Sequence, residues 1–146
     1  MPINMILAPA AVLVLWSLII LLWMAGTRFP AMARSGIDLS KAKPGGRGQD
    51  LEGVLPPNVS WKAHNYNHLM EQPTLFYAVV LILAALNGAT PITVGLAWAY
   101  TGIRIIHSLW QVLVNRVAPR FALFALSSLC LIGLAIIAVA RSLHLG

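Results

Sequence analysis

Four long apolar stretches alternate with polar segments along the chain, and this alternation predicts four membrane-spanning helices. The stretches cover residues 3–26, 61–86, 91–114 and 121–140. Each has about the twenty residues that a helix needs to cross a bilayer. The first two stretches are separated by residues 27–60, a segment rich in glycine, proline and charge. We therefore expect an all-α integral membrane protein, a single domain over residues 1–146, folded as a four-transmembrane-helix antiparallel bundle with one long loop.

The second apolar stretch opens with polar sequence, WKAHNYNHLMEQPTLFY. Side chains three and four positions apart lie over one another on a helix, so a single helix would align His64, His68 and Glu71 on one face. Pro73 lacks the backbone donor that a helix interior needs, and it is expected to kink this helix. Ionisable groups at a membrane boundary are costly and usually functional, so this stretch is the first candidate site.

The third stretch carries a second polar stripe, because its polar residues follow helical spacing. The stripe consists of Arg104, His107, Ser108, Gln111 and Asn115. Arg104 lies deep in an apolar span, where an unpaired guanidinium is expensive. At a rise of 1.5 Å per residue, Arg104 and Glu71 both lie about 15 Å from the same end of their helices. This matched depth predicts an ion pair between them.

Two polar stripes that face each other predict a ligand pocket open to the cytoplasmic side. The alternative for Glu71 and Arg104 alone is a structural ion pair that fixes the register of the helices, with the histidines satisfied nearby.

Charge indicates how the bundle lies in the membrane. Only 10% of the residues are charged, and the net charge is +6. The basic residues gather in residues 27–60 and in the turn at residues 115–120, whereas the turn at residues 87–91 has none. The positive-inside rule therefore places both basic loops in the cytoplasm and both termini on the other side. The membrane is expected to be a bacterial inner membrane. Membrane orientation accounts for the charge, so no nucleic-acid partner is expected.

Other kinds of site find little support. The single cysteine, Cys130, lies in an apolar run, which argues against a disulfide framework and against a catalytic thiol. His64 and His68, with Glu71 or His107, could supply three metal ligands, but Asn65 occupies the glutamate position of the HExxH motif. No metal is therefore expected.

Three features together resemble the MAPEG family, membrane-associated proteins in eicosanoid and glutathione metabolism. They are the histidine, asparagine and glutamate cluster that opens the second helix, the Arg104-x-x-His107 pair, and the loop RVAPR before the fourth helix. The resemblance covers residues 61–124 well. It implies a homotrimer that binds glutathione between subunits as a co-substrate, and either adds the thiol to lipophilic electrophiles or reduces lipid peroxides.

Carried over by position, the resemblance also assigns roles to residues. The glutathione-binding residues would be His64, Asn65, His68, Glu71, Arg104, His107 and Gln111. Arg120 would be catalytic, because a cation near sulfur lowers the pKa of a thiol. Phe121 and Phe124 stand where family enzymes offer a serine and a tyrosine. The open alternative is a non-catalytic lipid-binding or scaffold protein of the same fold, so whether the protein is an enzyme stays undecided at this point.

Overall fold

The computed structural model describes residues 1–144, and every regular element in that range is helical. The five main helices are α1 (Asn4–Arg34), α2 (Pro57–Leu69), α3 (Pro73–Ala85), α4 (Pro91–Leu113) and α5 (Val117–Ser142). Two short 3₁₀ helices, Leu39–Lys41 and Gly48–Leu51, lie between α1 and α2. Helices α2 and α3 follow one another and together correspond to the second predicted span. The predicted all-α bundle is therefore confirmed. The carboxyl terminus at Gly146, predicted to be non-cytoplasmic, lies outside the described residues.

Within residues 1–144, three segments are long and apolar enough to cross a membrane: α1, the segment Pro57–Ala85 that comprises α2 and α3, and α5. Helix α4 is not among them, because its polar stripe lowers its hydropathy. That stripe faces inward, however: Arg104 and Ser108 are fully buried, whereas Ile92 and Ile106 on other sides of α4 are exposed. An apolar outer surface suits contact with lipid, so α4 as a fourth span stays a prediction.

One apolar core runs through the bundle and is shared by the long helices. Its buried members include Ile6, Leu13 and Ile20 of α1, Phe76, Val80 and Leu83 of α3, Ala97 and Tyr100 of α4, and Leu131 and Leu134 of α5. A polar contact also crosses it, since the Thr101 hydroxyl donates to the carbonyl of Pro9 at 2.9 Å. These contacts fix α4 against α1 and leave the polar stripe of α4 facing α2.

Helix α1 ends at Arg34 rather than at residue 26, so the loop is shorter than predicted. The additional turns find partners in the loop. Ala31 and Met32 pack against Leu55, and the Arg28 guanidinium donates to the carbonyl of Gly48 at 2.6 Å. Within the loop, Asp38 accepts hydrogen bonds from the hydroxyl and from the amide of Ser40, and these bonds lower the pKa of Asp38.

The kink predicted at Pro73 is a full interruption of the helix. The amides of Met70 and Glu71 donate to carbonyls only three residues back, so the last turn of α2 tightens before the helix ends. Pro73 is the first residue of α3, where its missing donor costs nothing. The turn between the helices directs the Glu71 side chain outward, with 70% of it exposed, and holds Gln72 against the bundle interior.

Candidate functional site

Arg104 lies at the centre of a polar cluster inside the bundle, and its side chain is fully buried. One guanidinium nitrogen, Nη1, donates to His68 Nε2 at 2.9 Å, and the other, Nη2, donates to Gln72 Oε1. The rings of Tyr100 and Phe124 each lie 5.2 Å from the guanidinium carbon. Aromatic faces attract cations, most strongly where water is excluded. Uncharged acceptors and ring faces therefore surround this charge.

The predicted ion pair between Glu71 and Arg104 is wrong. Glu71 contacts the other nitrogen of His68, Nδ1, at 3.3 Å, and no carboxylate within residues 1–144 forms an ion pair with Arg104. The physical reason is the turn before Pro73, which rotates Glu71 away from α4 and puts the next residue, Gln72, against the guanidinium. The matched depth was correct, but the neighbouring side chain occupies the position.

A pair of side-chain amides joins the polar stripes of α2 and α4. Asn65 is fully buried, and its Oδ1 accepts a hydrogen bond from the hydroxyl of Ser108. Its Nδ2 donates to Gln111 Oε1 at 3.0 Å. These two bonds fix the orientation of the Gln111 amide. Its Nε2 group is left as a donor without a partner in the described part of the chain.

A cavity of about 320 Å³ opens beside this network, where α4 ends and α5 begins. Its lining residues are His68, His107, Gln111, Val117, Arg120, Phe121 and Phe124. The first three and Arg120 form a polar wall, whereas the valine and the two phenylalanines form an apolar wall. The pocket lies at the end of the bundle that also holds the loop of residues 35–56.

Arg120 reaches the pocket from the first turn of α5. Its Nη1 donates to Asn115 Oδ1, and Asn115 lies in the turn before α5 with a left-handed φ of 55°. Asparagine tolerates this backbone conformation better than most residues do. Among residues 1–144 no carboxylate pairs with Arg120, so its charge faces the cavity without an acidic counter-ion.

The structure brings most of the predicted site residues together, but it separates two of them from the cavity. The six that form or directly support the pocket are Asn65, His68, Arg104, His107, Gln111 and Arg120. Glu71 contacts the cluster only through His68. His64 instead hydrogen-bonds Glu52 of the loop and lines a second cavity of about 240 Å³ beside Arg28.

The sequence did not lead us to include Gln72 in the site, and it identified Phe124 only as a position that lacks the hydroxyl group of family enzymes. Gln72 touches Arg104, Tyr100 and Ser128, which makes it the most connected polar side chain in the cluster. A signal was present, since an uncharged amide directly before Pro73, at the edge of an apolar run, is costly unless it has partners.

In the described range, residues 1–144, no group of three or more histidine, cysteine or acidic side chains could hold a metal ion.

Comparison with known proteins gives one finding of similarity. The family model described as the MAPEG family matches residues 6–140. No curated protein and no solved structure gives a significant match. The matched range contains both walls of the pocket and the whole of α2, α3 and α4.

Proposed function

The chain belongs to the MAPEG family, and from this membership we propose that it is an integral membrane protein that binds glutathione in the pocket between α2, α4 and α5. It transfers the bound thiol to lipophilic electrophiles, or uses it to reduce lipid peroxides. The observation that carries this proposal is the composition of the pocket, which sets a cationic and hydrogen-bonding wall against an apolar one. A reaction between a charged peptide thiol and a lipophilic substrate needs both walls.

The polar wall suits an anion. Arg120 has no acidic partner among residues 1–144, and Arg104 lies directly behind His68 with only uncharged acceptors. Glutathione offers two carboxylates and, once ionised, a thiolate. Positive charge beside sulfur favours the thiolate and so raises the concentration of the nucleophile.

The apolar wall suits a substrate that arrives through the membrane. Val117 and Phe121 are 66% and 68% exposed in the single chain, and both lie at the rim of the pocket. A lipophilic molecule dissolved in the bilayer would meet these side chains first. We further propose that the functional unit is a homotrimer, in which a neighbouring subunit covers part of this rim.

A second candidate function is a lipid-binding or scaffold protein that keeps the pocket without the chemistry. It is favoured by one observation: within the described residues, no side chain that lines the pocket carries a hydroxyl group that could donate to sulfur. In this case Arg120 binds an anionic lipid headgroup, and Phe121 and Phe124 contact the acyl chains.

The two functions can be separated by titrating the detergent-solubilised protein with glutathione in a calorimeter, and by measuring conjugation of glutathione with a test electrophile. We expect the unmodified protein to bind glutathione. The Arg120→Ala variant should bind at least about tenfold more weakly, because a hydrogen bond to a charged group contributes about 1.5–3 kcal/mol. The matched control is Arg116→Ala, since Arg116 is exposed and lies in the same turn but does not line the pocket.

Unchanged binding and turnover in both variants would make Arg120 a membrane-surface anchor and remove the main support for the enzyme. Absence of glutathione binding together with tight binding of an anionic lipid would establish the scaffold function instead.

A further inference from the structure

Two histidine rings lie side by side in the polar wall of the pocket, and only one of them is free to exchange a proton. The ring centroids of His68 and His107 are 4.9 Å apart, with the planes tilted by 30°. Both side chains line the cavity. Their hydrogen bonds differ, and this difference separates their roles.

Both nitrogens of His68 are occupied. Nε2 lies 2.9 Å from Arg104 Nη1, and Nδ1 lies 3.3 Å from Glu71 Oε2. A guanidinium group can only donate hydrogen bonds, so Nε2 must be the acceptor. The hydrogen of the neutral ring is therefore on Nδ1, where it donates to the Glu71 carboxylate. A proton added at Nε2 would point at the guanidinium, so His68 is unsuited to accept one.

His107 has neither constraint. Neither ring nitrogen has a hydrogen-bond partner among the described residues, although only 3% of the residue is exposed. The charged and titratable groups that face it are His68 from α2, Arg104 on its own helix and Arg120 from α5. Among residues 1–144 no acidic side chain lines the cavity. A neutral imidazole at this position has a lone pair without a partner among residues 1–144, and its ring lines the pocket.

We propose that His107 is the catalytic residue that accepts the proton of the bound thiol, and that Glu71 and His68 are positioning residues that hold Arg104 behind the polar wall, where its charge favours the thiolate. This assignment rests on the proposed function. The S–H bond of glutathione breaks and its proton forms an N–H bond on His107. The electron pair left on sulfur then forms the C–S bond with an activated double bond. The carbanion produced on the electrophile takes the proton back, which returns His107 to its neutral form.

The arrangement divides two tasks between two kinds of group. Arg104 and Arg120 stabilise the negative sulfur but cannot accept its proton, because a guanidinium stays charged in proteins. An uncharged base beside them can accept it, and the resulting imidazolium and thiolate attract one another, as in cysteine–histidine pairs.

The test compares His107→Gln with His68→Gln, and uses His144→Gln as the control because His144 is exposed at the other end of the bundle. Glutathione binding is measured by calorimetry, thiolate formation by ultraviolet absorbance of the complex, and turnover at saturating glutathione across pH. We expect His107→Gln to keep glutathione binding, to lose the thiolate absorbance, and to lower kcat by about 10²–10⁴-fold. The pH profile of its residual activity should follow the ionisation of the free thiol. His68→Gln should weaken binding but keep the thiolate absorbance.

A second variant separates a chemical role from a structural one. His107→Ala leaves space for a small base, so added imidazole should restore turnover if His107 acts by accepting a proton. Failure of imidazole to do so in a folded protein that binds glutathione would contradict the assignment, as would a full thiolate signal in His107→Gln. No glutathione binding by the unmodified protein would instead overturn the proposed function itself.

Discussion

Gln72 shows how an uncharged residue can hold a buried cation in place. Its Oε1 accepts hydrogen bonds from Arg104 and from the Tyr100 hydroxyl, the latter at 3.2 Å, while its Nε2 donates to the Ser128 hydroxyl at 2.9 Å. A side-chain amide can do this because it has both donors and an acceptor. One residue thus joins the turn before α3 to α4 and α5.

Replacing Gln72 by leucine should therefore destabilise the protein. The Gln72→Leu change leaves a buried guanidinium nitrogen without its acceptor, which should lower the free energy of unfolding by about 1.5–3 kcal/mol. The matched control is Glu71→Gln. The Glu71 side chain is 70% exposed, so its replacement should change stability by no more than about 0.5 kcal/mol. Denaturant unfolding of both variants in the same detergent measures the difference. A larger loss of stability in Glu71→Gln than in Gln72→Leu would support the ion pair between Glu71 and Arg104 that the sequence predicted.

The polar stripe of α4 could be predicted from the sequence because helical spacing is a local property. Arg104, His107, Ser108 and Gln111 are all buried on one side of the helix. The partner of Arg104 could not be predicted, because it depends on how far the chain turns between α2 and α3. A proline at residue 73 signals an interruption but does not give the rotation, and that rotation exchanges Glu71 for Gln72.

Among the elements, the turn between α3 and α4 fixes the start of α4. Asn87 has a left-handed φ of 53°, and Thr90 and Thr93 cap the start of α4 with reciprocal hydrogen bonds. Gly88 passes so close to the end of α3 that a Cβ atom there would lie 2.9 Å from the carbonyl oxygen of Leu83. Only glycine fits without a shift of the backbone.

We expect Gly88→Ala to destabilise the bundle by about 1–3 kcal/mol, the usual cost of overpacking a well-packed position. The control is Gly26→Ala in α1, where a Cβ atom would meet nothing within 4 Å. In a helix interior that replacement should be neutral or stabilise by about 0.5–1 kcal/mol. Thermal unfolding of the two variants gives the comparison, and equal effects would show that the turn is not tightly packed.

Helix boundaries were predictable only where the signal was local. Helix α4 runs from Pro91 to Leu113 and so differs by one residue from the apolar stretch at residues 91–114. Helix α1 instead continues to Arg34 because of contacts with Leu55 and Gly48 of the following loop. Helix α5 begins at Val117, before the predicted residue 121, because Pro119 is tolerated in a first turn. Contacts between distant parts of the chain leave no periodic signal.

The whole molecule is asymmetric in charge from one end to the other. The loop of residues 35–56 and the turn before α5 lie at one end of the bundle, and between them they hold Lys41, Lys43, Arg47 and Arg116. The opposite end has Arg141 in the last turn of α5. By the positive-inside rule, this difference in charge between the two ends predicts that the pocket opens on the cytoplasmic side.

A pair of leucine-to-cysteine variants tests this orientation in a Cys130→Ala background. Leu39 and Leu143 are 59% and 61% exposed and lie at opposite ends of the bundle. A membrane-impermeant maleimide should label Leu39→Cys only in inverted membrane vesicles, and Leu143→Cys only in intact spheroplasts. The reverse pattern would place the pocket on the outer side of the membrane.

The buried charge on α4 also has a consequence for the order in which the bundle is assembled. An arginine at the centre of an isolated helix opposes its insertion by about 2.5–3.5 kcal/mol, so α4 is the segment least able to enter the bilayer alone. Its acceptors, His68 and Gln72, precede it in the chain and are synthesised first. The very apolar α5 follows it. If α4 spans the membrane as predicted, the acceptors of its arginine are therefore already in the membrane when α4 leaves the ribosome, and a strongly hydrophobic helix comes directly after it.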